Sequence, residues 1–244
     1  MKIKTVLCQV EDEKGPRQKF VPIEYFLKKT DKGETLNLLQ AWYYAIGKGV
    51  QRPAKIVNKE NDRMRIYLDG NNFIAAFDPT NDIFTLDGLK DWVSNLKFLT
   101  DKEIEECANR FYPTIESYFK KFPGFNFWFD GYSRGGGLAR EMSFRIADKF
   151  KRALETKERV IHCRAFEPPA VMNKKKATYY NSKLPIEEIW TRNGRDPVTY
   201  MAPNMHHTGW RLRFKQPYKM LLPWRRIETH LETSVEKAIR KKLK

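Results

Sequence analysis

The sequence predicts an α/β fold, a mainly parallel central sheet covered by helices on both faces. Three observations lead there. Short apolar runs such as "RVIHCRAF" and "IEEIWTRN" read as buried strands, stretches with helical spacing lie between such runs, and turn residues stand where one gives way to the next. A chain of 244 residues can bury a sizeable core, and α/β domains of this length commonly stay single. No linker divides it, so the expectation is one domain over residues 1–244, with 1–60 a mainly helical N-terminal extension.

In chain order, "ETLNLLQAWYYAIGKG" sets Leu36, Leu39, Trp42, Tyr43 and Ile46 at helical spacing, with Gly47 and Gly49 as stop signals. The rest of residues 1–60 carries little pattern. "RMRIYLDGNNFIAAFD" reads as two strands joined at Asp69-Gly70-Asn71. "LKDWVSNLKF" is a short amphipathic segment. From Ile104 to Phe122 apolar residues mark one helical face, with Pro113 a candidate kink. Pro123-Gly124 ends that helix, and the aromatic strand "FNFWFD" follows. A second helix starts after Ser133, with Leu138, Met142, Ile146 and Phe150 on one face. The tail from about Ile227 to Lys244 reads as a last helix.

Bulk properties narrow the function classes. Cys8, Cys107 and Cys163 form neither a zinc pattern nor a disulfide framework, which suits a reducing compartment. The N-terminal apolar run is too short for a signal-peptide core, and no stretch approaches the roughly 20 apolar residues of a membrane span. A cytoplasmic protein, able to sit peripherally at a membrane surface, is the expectation. The formal charge of +16 favours polyanions, including anionic lipid headgroups. Much of the surplus lies in runs such as "NKKKA" and "RKKLK", and no nucleic-acid-binding signature accompanies it.

The candidate chemistry starts at Gly131-Tyr132-Ser133-Arg134-Gly135, which fits G-x-S-x-G. Chance alone gives that pattern in roughly one chain in twelve of this size, so context must decide. Here it falls between a predicted strand and a predicted helix, as a nucleophile elbow requires. A tight turn strains the backbone at the serine and needs small neighbours. The helix N-terminus beyond offers N–H groups to a developing oxyanion. A phosphate-cradling loop is the bland alternative, but the Lys-Ser/Thr of a P-loop is missing.

A serine nucleophile needs an orienting acid and a base, which follow it in that order in such sheets. Asp196 comes directly after a predicted strand, in "WTRNGRDPVTY". His206, His207 and His230 all follow it, and order alone does not choose among them. His162 precedes the acid inside an apolar strand and reads as a sheet residue.

From about Ile66 onward the chain resembles the fungal-type (class 3) lipases, a branch of the α/β-hydrolases. "FDPT" (Phe77–Thr80) and "DWVSNL" (Asp91–Leu96) resemble their F-R-G-T and D-W-x-x-N/D-L oxyanion segment, and "GYSRGG" their G-H-S-L-G-G elbow. "FEPPAVMN" (Phe166–Asn173) resembles F-G-x-P-R-V-G-N, and "NGRDPVTYMAP" the N-x-x-D-P-V-P-x-L-P acid loop. "MHHTGWRLRF" resembles F-x-H-x-G-x-E-x-W, and "THLETSV" the late D-H-L-x-x-Y. The matches occur in the family's order over about 180 residues, far more specific than the elbow alone.

The resemblance implies Ser133 as nucleophile, Asp196 as orienting acid and His230 as base, with His207 or His206 at the family's non-catalytic histidine and as alternative bases. It implies Thr80 and the N–H of Arg134 as the oxyanion hole. The segment between Thr80 and Trp92 falls where these lipases carry a lid, and Ile83, Phe84 and Leu86 are its apolar residues. Four departures stand out: Asp78-Pro79 for Arg-Gly, Tyr132 for His, Arg134 for an apolar residue, and Thr199 for Pro. Elbows of the G-F-S-R-G type also occur in related bacterial phospholipase effectors.

The expected function is therefore a serine carboxylic-ester hydrolase, a lipase, esterase or phospholipase, with no metal or organic cofactor. Its implied partners are an ester or lipid substrate and an anionic lipid surface, with no nucleic acid. The alternatives are a catalytically silent hydrolase-fold binding protein and, further off, a basic nucleic-acid-binding protein.

Overall fold

The computed structural model describes residues 5–12, 15–22, 38–47, 55–60, 64–77, 101–156, 159–194, 196–200, 204–214 and 232–243. Among the described residues nine strands run β1 (Thr5–Asp12), β2 (Gly15–Pro22), β3 (Lys55–Glu60), β4 (Met64–Asp69), β5 (Asn72–Phe77), β6 (Asn126–Tyr132), β7 (Ile161–Phe166), β8 (Ile186–Asn193) and β9 (Trp210–Phe214). The helices are α1 (Leu38–Ala45), α2 (Asp101–Lys121), α3 (Arg134–Lys149), α4 (Lys151–Thr156), α5 (Lys174–Lys183) and α6 (Glu232–Leu243).

All nine strands join one sheet in the order β2-β1-β9-β8-β7-β6-β5-β4-β3. The pairs from β5 through β9 are parallel, and the flanking pairs are antiparallel. The parallel strands read as near-continuous apolar runs because a covered parallel sheet buries both faces; all six residues of β5 are buried. The β4–β5 turn falls at Gly70-Asn71, where φ of 57° at Gly70 suits a residue with no side chain.

On one face, α2 and α3 supply Phe111, Ile115, Leu138, Met142 and Ile146, packed on Phe73, Phe77, Phe127, Phe129 and Cys163. Pro113 lies inside α2, which nevertheless runs unbroken over 21 residues. On the other face, Leu38 and Trp42 of α1 and Val235 and Ile239 of α6 pack on Tyr132, Phe166, Ile189, Leu212 and Phe214. Trp42 meets Tyr132 and Phe166 edge-on, with ring centroids 5.1 and 5.2 Å away. The expected helices on both faces are both present.

One expectation needs correction. A mainly helical extension over residues 1–60 is not what its described residues form: among them the elements are β1, β2 and β3 and the single eight-residue helix α1. The three strands extend the common sheet at its two ends. Their sequences mix charged, polar and apolar residues, as in "KIVNKE". The run "NKKKA" opens α5, where Asn173 accepts a hydrogen bond from the Lys176 N–H as an N-cap. The first four residues of "RKKLK", 240–243, end α6. No described helix is long and apolar enough to cross a membrane.

Candidate active site

The elbow is built by backbone geometry. Ser133 joins the end of β6 to the start of α3 with φ 56° and ψ −125°, a region that non-glycine residues enter at a cost of roughly 1–3 kcal/mol. Its N–H donates to the Phe166 carbonyl at 2.8 Å, and its carbonyl accepts from Gly136 N–H at 2.9 Å. The serine is thereby pinned to β7 behind it and to α3 ahead of it. Its hydroxyl does not cap α3.

The glycines allow this close approach. A Cβ on Gly131 would lie 2.1 Å from the Gly135 carbonyl oxygen, and one on Gly136 would lie 2.9 Å from Pro168 Cβ. The chain entering the serine and the helix leaving it nearly touch, so only glycine fits at 131. α3 begins at Arg134, so the positive end of the helix dipole lies at the elbow.

Two strands away, Asp196 follows the turn after β8. Its N–H donates to the Asn193 carbonyl at 3.2 Å, and its Oδ1 accepts from Val198 N–H at 2.9 Å. The Thr199 hydroxyl donates to its carbonyl oxygen at 2.9 Å. The carboxyl is fully buried, and burial pushes its pKa up to about 7. The Glu167 side-chain hydrogen bond, the Val198 N–H and the Arg192 guanidinium pull the other way.

Glu167 escaped the sequence reading. It directly follows β7, between the strand ends that carry Ser133 and Asp196. Its φ is 48° and its side chain is fully buried. Oε1 accepts from the Thr191 hydroxyl at 3.0 Å and Oε2 from the Asn193 N–H at 2.7 Å. The available signal was the second position of "FEPPAVMN", where the related motif has glycine, a residue that suits positive φ.

A second buried network ties the elbow helix to the acid loop. Arg140 of α3 is fully buried and donates through Nε to Glu188 Oε1 of β8 at 2.5 Å. Its Nη1 donates to the Pro169 carbonyl at 3.1 Å and lies 2.8 Å from His207 Nδ1. Guanidinium only donates, so Nδ1 accepts and the ring proton sits on Nε2. From there it donates to the Thr199 carbonyl at 2.6 Å. The His207 ring also stacks on Trp190, 4.0 Å between centroids. Burial and the Arg140 charge hold its pKa well below the ordinary value, so His207 is neutral. His206 forms a backbone bridge to Met172. His162 lies in β7, stacked on Trp128 with Nδ1 3.1 Å from Glu187 Oε2.

Beneath the elbow, Asp130 of β6 is fully buried, and neither carboxylate oxygen has a hydrogen-bond partner. Burial pushes its pKa up to about 7, against the pull of Arg164 on β7. The remaining expected site residues, Thr80 and His230, lie outside the described residues. So do Asp78-Pro79, the lid-position residues Ile83, Phe84 and Leu86, and "DWVSNL". No cluster of potential metal ligands occurs among the described residues.

A backbone bent this sharply at a serine, on a parallel sheet flanked in this way, defines the α/β-hydrolase class. The chain belongs to the class 3 lipase family, whose model matches residues 72–206, more than half of its length. It is thus a serine hydrolase of carboxylic esters, and its substrate is an ester or lipid. Among solved structures it is similar to Rhizomucor miehei triacylglyceride lipase, at 17% identity over 68% of each chain with a TM-score of 0.54. It is also similar to a triacylglycerol lipase described as having a serine protease triad at its catalytic centre. That match has 18% identity, 73% of this chain, 77% of the other and a TM-score of 0.53. Lipase II from Rhizopus niveus matches at 17% identity over 67% of each chain, TM-score 0.53. At these identities the likeness is one of fold. No curated protein matches the sequence.

Proposed function

We infer that Ser133, His230 and Asp196 form the catalytic triad of this hydrolase. The observation that carries the reading is the strained, positive-φ Ser133 at the head of β6, with buried Asp196 on the same edge of the sheet. Ser133 Oγ attacks the ester carbonyl carbon while His230 takes its proton. The oxyanion is held by the N–H groups of Thr80 and Arg134, aided by the Thr80 hydroxyl. His230 returns the proton to the leaving alcohol. A water, deprotonated by the same histidine, then releases the acid and restores the serine. Asp196 orients the imidazole and balances its charge.

His230 is preferred over His207 because both ring nitrogens of His207 already serve Arg140 and Thr199. His206 stays the second candidate. The basic surplus of +16 supports an anionic lipid surface as the working location, and binding to phosphatidylglycerol vesicles that weakens with salt tests that part. Cys107 and Cys163, both buried free thiols, suit a reducing, cytoplasmic setting. The whole chain is read as one hydrolase domain.

The decisive experiment is fluorophosphonate labelling together with hydrolysis of a short-chain p-nitrophenyl ester. Wild-type protein labels and turns over; Ser133→Ala does neither, and His230→Ala loses turnover nearly as completely. Undiminished hydrolysis by Ser133→Ala ends the proposal, and wild-type turnover by His230→Ala reassigns the base.

A further inference from the structure

Among the described residues only two non-glycines have positive φ, and they are Ser133 and Glu167. The first is accounted for by the nucleophile elbow. The second places a fully buried carboxyl at the head of β7, between the nucleophile strand and the acid strand. A glycine would satisfy the backbone there without burying a charge, so the side chain calls for an explanation.

The carboxyl has a specific setting. It accepts from the Thr191 hydroxyl and the Asn193 N–H, and it hydrogen-bonds the carboxyl of Asp196. Two carboxyls can share a hydrogen bond only if one keeps a proton, and two buried like charges in contact do not both ionise. Asp196 already accepts the Val198 N–H. A proton on Glu167 pointing toward Asp196 completes the arrangement, leaving Asp196 the charged member, gripped from two sides.

We propose that Glu167 is a positioning residue for the catalytic acid, and that Glu167 and Asp196 hold one proton and present one negative charge to the histidine as a unit. The inference rests on the triad reading above. Charged and titratable groups facing the pair are the Arg192 guanidinium from β8, the Tyr132 phenol from β6 and, beyond Tyr132, Glu232 at the start of α6. Arg192 favours the single negative charge. A second one, with Glu232 nearby, is opposed by burial and repulsion. When the shared proton leaves at alkaline pH, the hydrogen bond aligning Asp196 is lost and turnover falls.

The test compares Glu167→Gln and Glu167→Gly. Glutamine donates an amide N–H to Asp196 at every pH while its carbonyl still accepts from Thr191 or Asn193. Glu167→Gln should therefore keep kcat within about threefold at neutral pH and lack the alkaline decline of wild type. Glu167→Gly should lower kcat about tenfold or more with little change in KM, since orientation and not substrate binding is lost. Circular dichroism melts confirm the fold, and the near-isosteric glutamine keeps the test open should glycine perturb the loop. An independent readout, which requires no turnover, uses the Ser133→Ala background with Asp130→Asn added, so that the other buried carboxyl of raised pKa contributes no band. Its infrared spectrum at neutral pH should contain a protonated-carboxyl band that Glu167→Gln removes. Failure of the triad reading appears as hydrolysis by Ser133→Ala, whereas the infrared band still reports on the shared proton. A wild-type alkaline limb in Glu167→Gln, wild-type kcat in Glu167→Gly, or an unchanged infrared band overturns the proposal.

Discussion

Replacing Gly131 by alanine tests the elbow geometry directly. The added methyl carbon would lie 2.1 Å from the Gly135 carbonyl oxygen, 2.2 Å from its carbonyl carbon and 2.7 Å from the Gly136 nitrogen. All three are backbone atoms in the first turn of α3, so no rotamer change relieves the overlap. Overpacking typically costs about 1–3 kcal/mol where side chains give way, and a rigid backbone contact belongs above that range, at about 4 kcal/mol or more. For a protein of this size that corresponds to a melting shift of roughly 8–16 °C. Gly136→Ala meets Pro168 Cβ at 2.9 Å and the Gly131 carbonyl at 3.1 Å, and should cost about 1–3 kcal/mol. Gly137→Ala meets the movable Val171 Cγ1 at 2.9 Å, and a helix-propensity gain of about 1 kcal/mol opposes that contact. Its net change should stay within about 1 kcal/mol. Urea unfolding ranks the three, and fluorophosphonate labelling reads the elbow itself, which should be silent in Gly131→Ala even at low temperature. A Gly131→Ala protein with wild-type stability and labelling would refute the close approach of β6 and α3.

Three further outcomes follow from the same geometry. Ser133→Gly and Ser133→Ala should both be inactive, but the glycine variant should be the more stable by about 1–2 kcal/mol because it relieves positive-φ strain; equal urea midpoints would argue against that strain. Asp130 titrates near 7 in the folded protein against an ordinary value of 3.8, so the folded form holds its proton longer and stability falls as pH rises from about 4 to 7, by at most about 4 kcal/mol. Asp130→Asn should remove its share of that slope and gain on wild type above pH 7; parallel stability–pH curves would contradict it. Arg140→Ala leaves Glu188 buried without its guanidinium partner and should cost about 3–5 kcal/mol in urea unfolding, a loss under 1 kcal/mol counting against the network.

The sequence was most legible where information is local. β4 through β8 announce themselves by apolar runs and turn residues, and the Gly131–Gly135 spacing locates Ser133 between a strand and a helix. The outer strands were illegible for the opposite reason: β3 has only two adjacent aliphatics among charged and polar residues, and β1 finds a partner in β9, far along the chain. α5 begins with three lysines and has no clear apolar stripe, so its helical period is faint. At the site, Asp196 is readable from its strand and loop. Glu167 is not, because its contact with Thr191 and Asn193 depends on the register of β7 against β8. His207 reads as a candidate base until Arg140, contributed by another element, is found holding its ring.

The pairing of β1 with β9 has a consequence for biosynthesis. Cys8 stands opposite Leu212, about two hundred residues later. At synthesis rates of roughly 5–20 residues per second, the opening hairpin waits on the order of 10–40 seconds for the strand that will cover its inner edge. During that interval one row of amide and carbonyl groups faces solvent or a chaperone, open to pairing with another nascent chain. Sheet assembly therefore joins β9 to a strand made about two hundred residues earlier, and slower translation of the intervening stretch lengthens the period of risk.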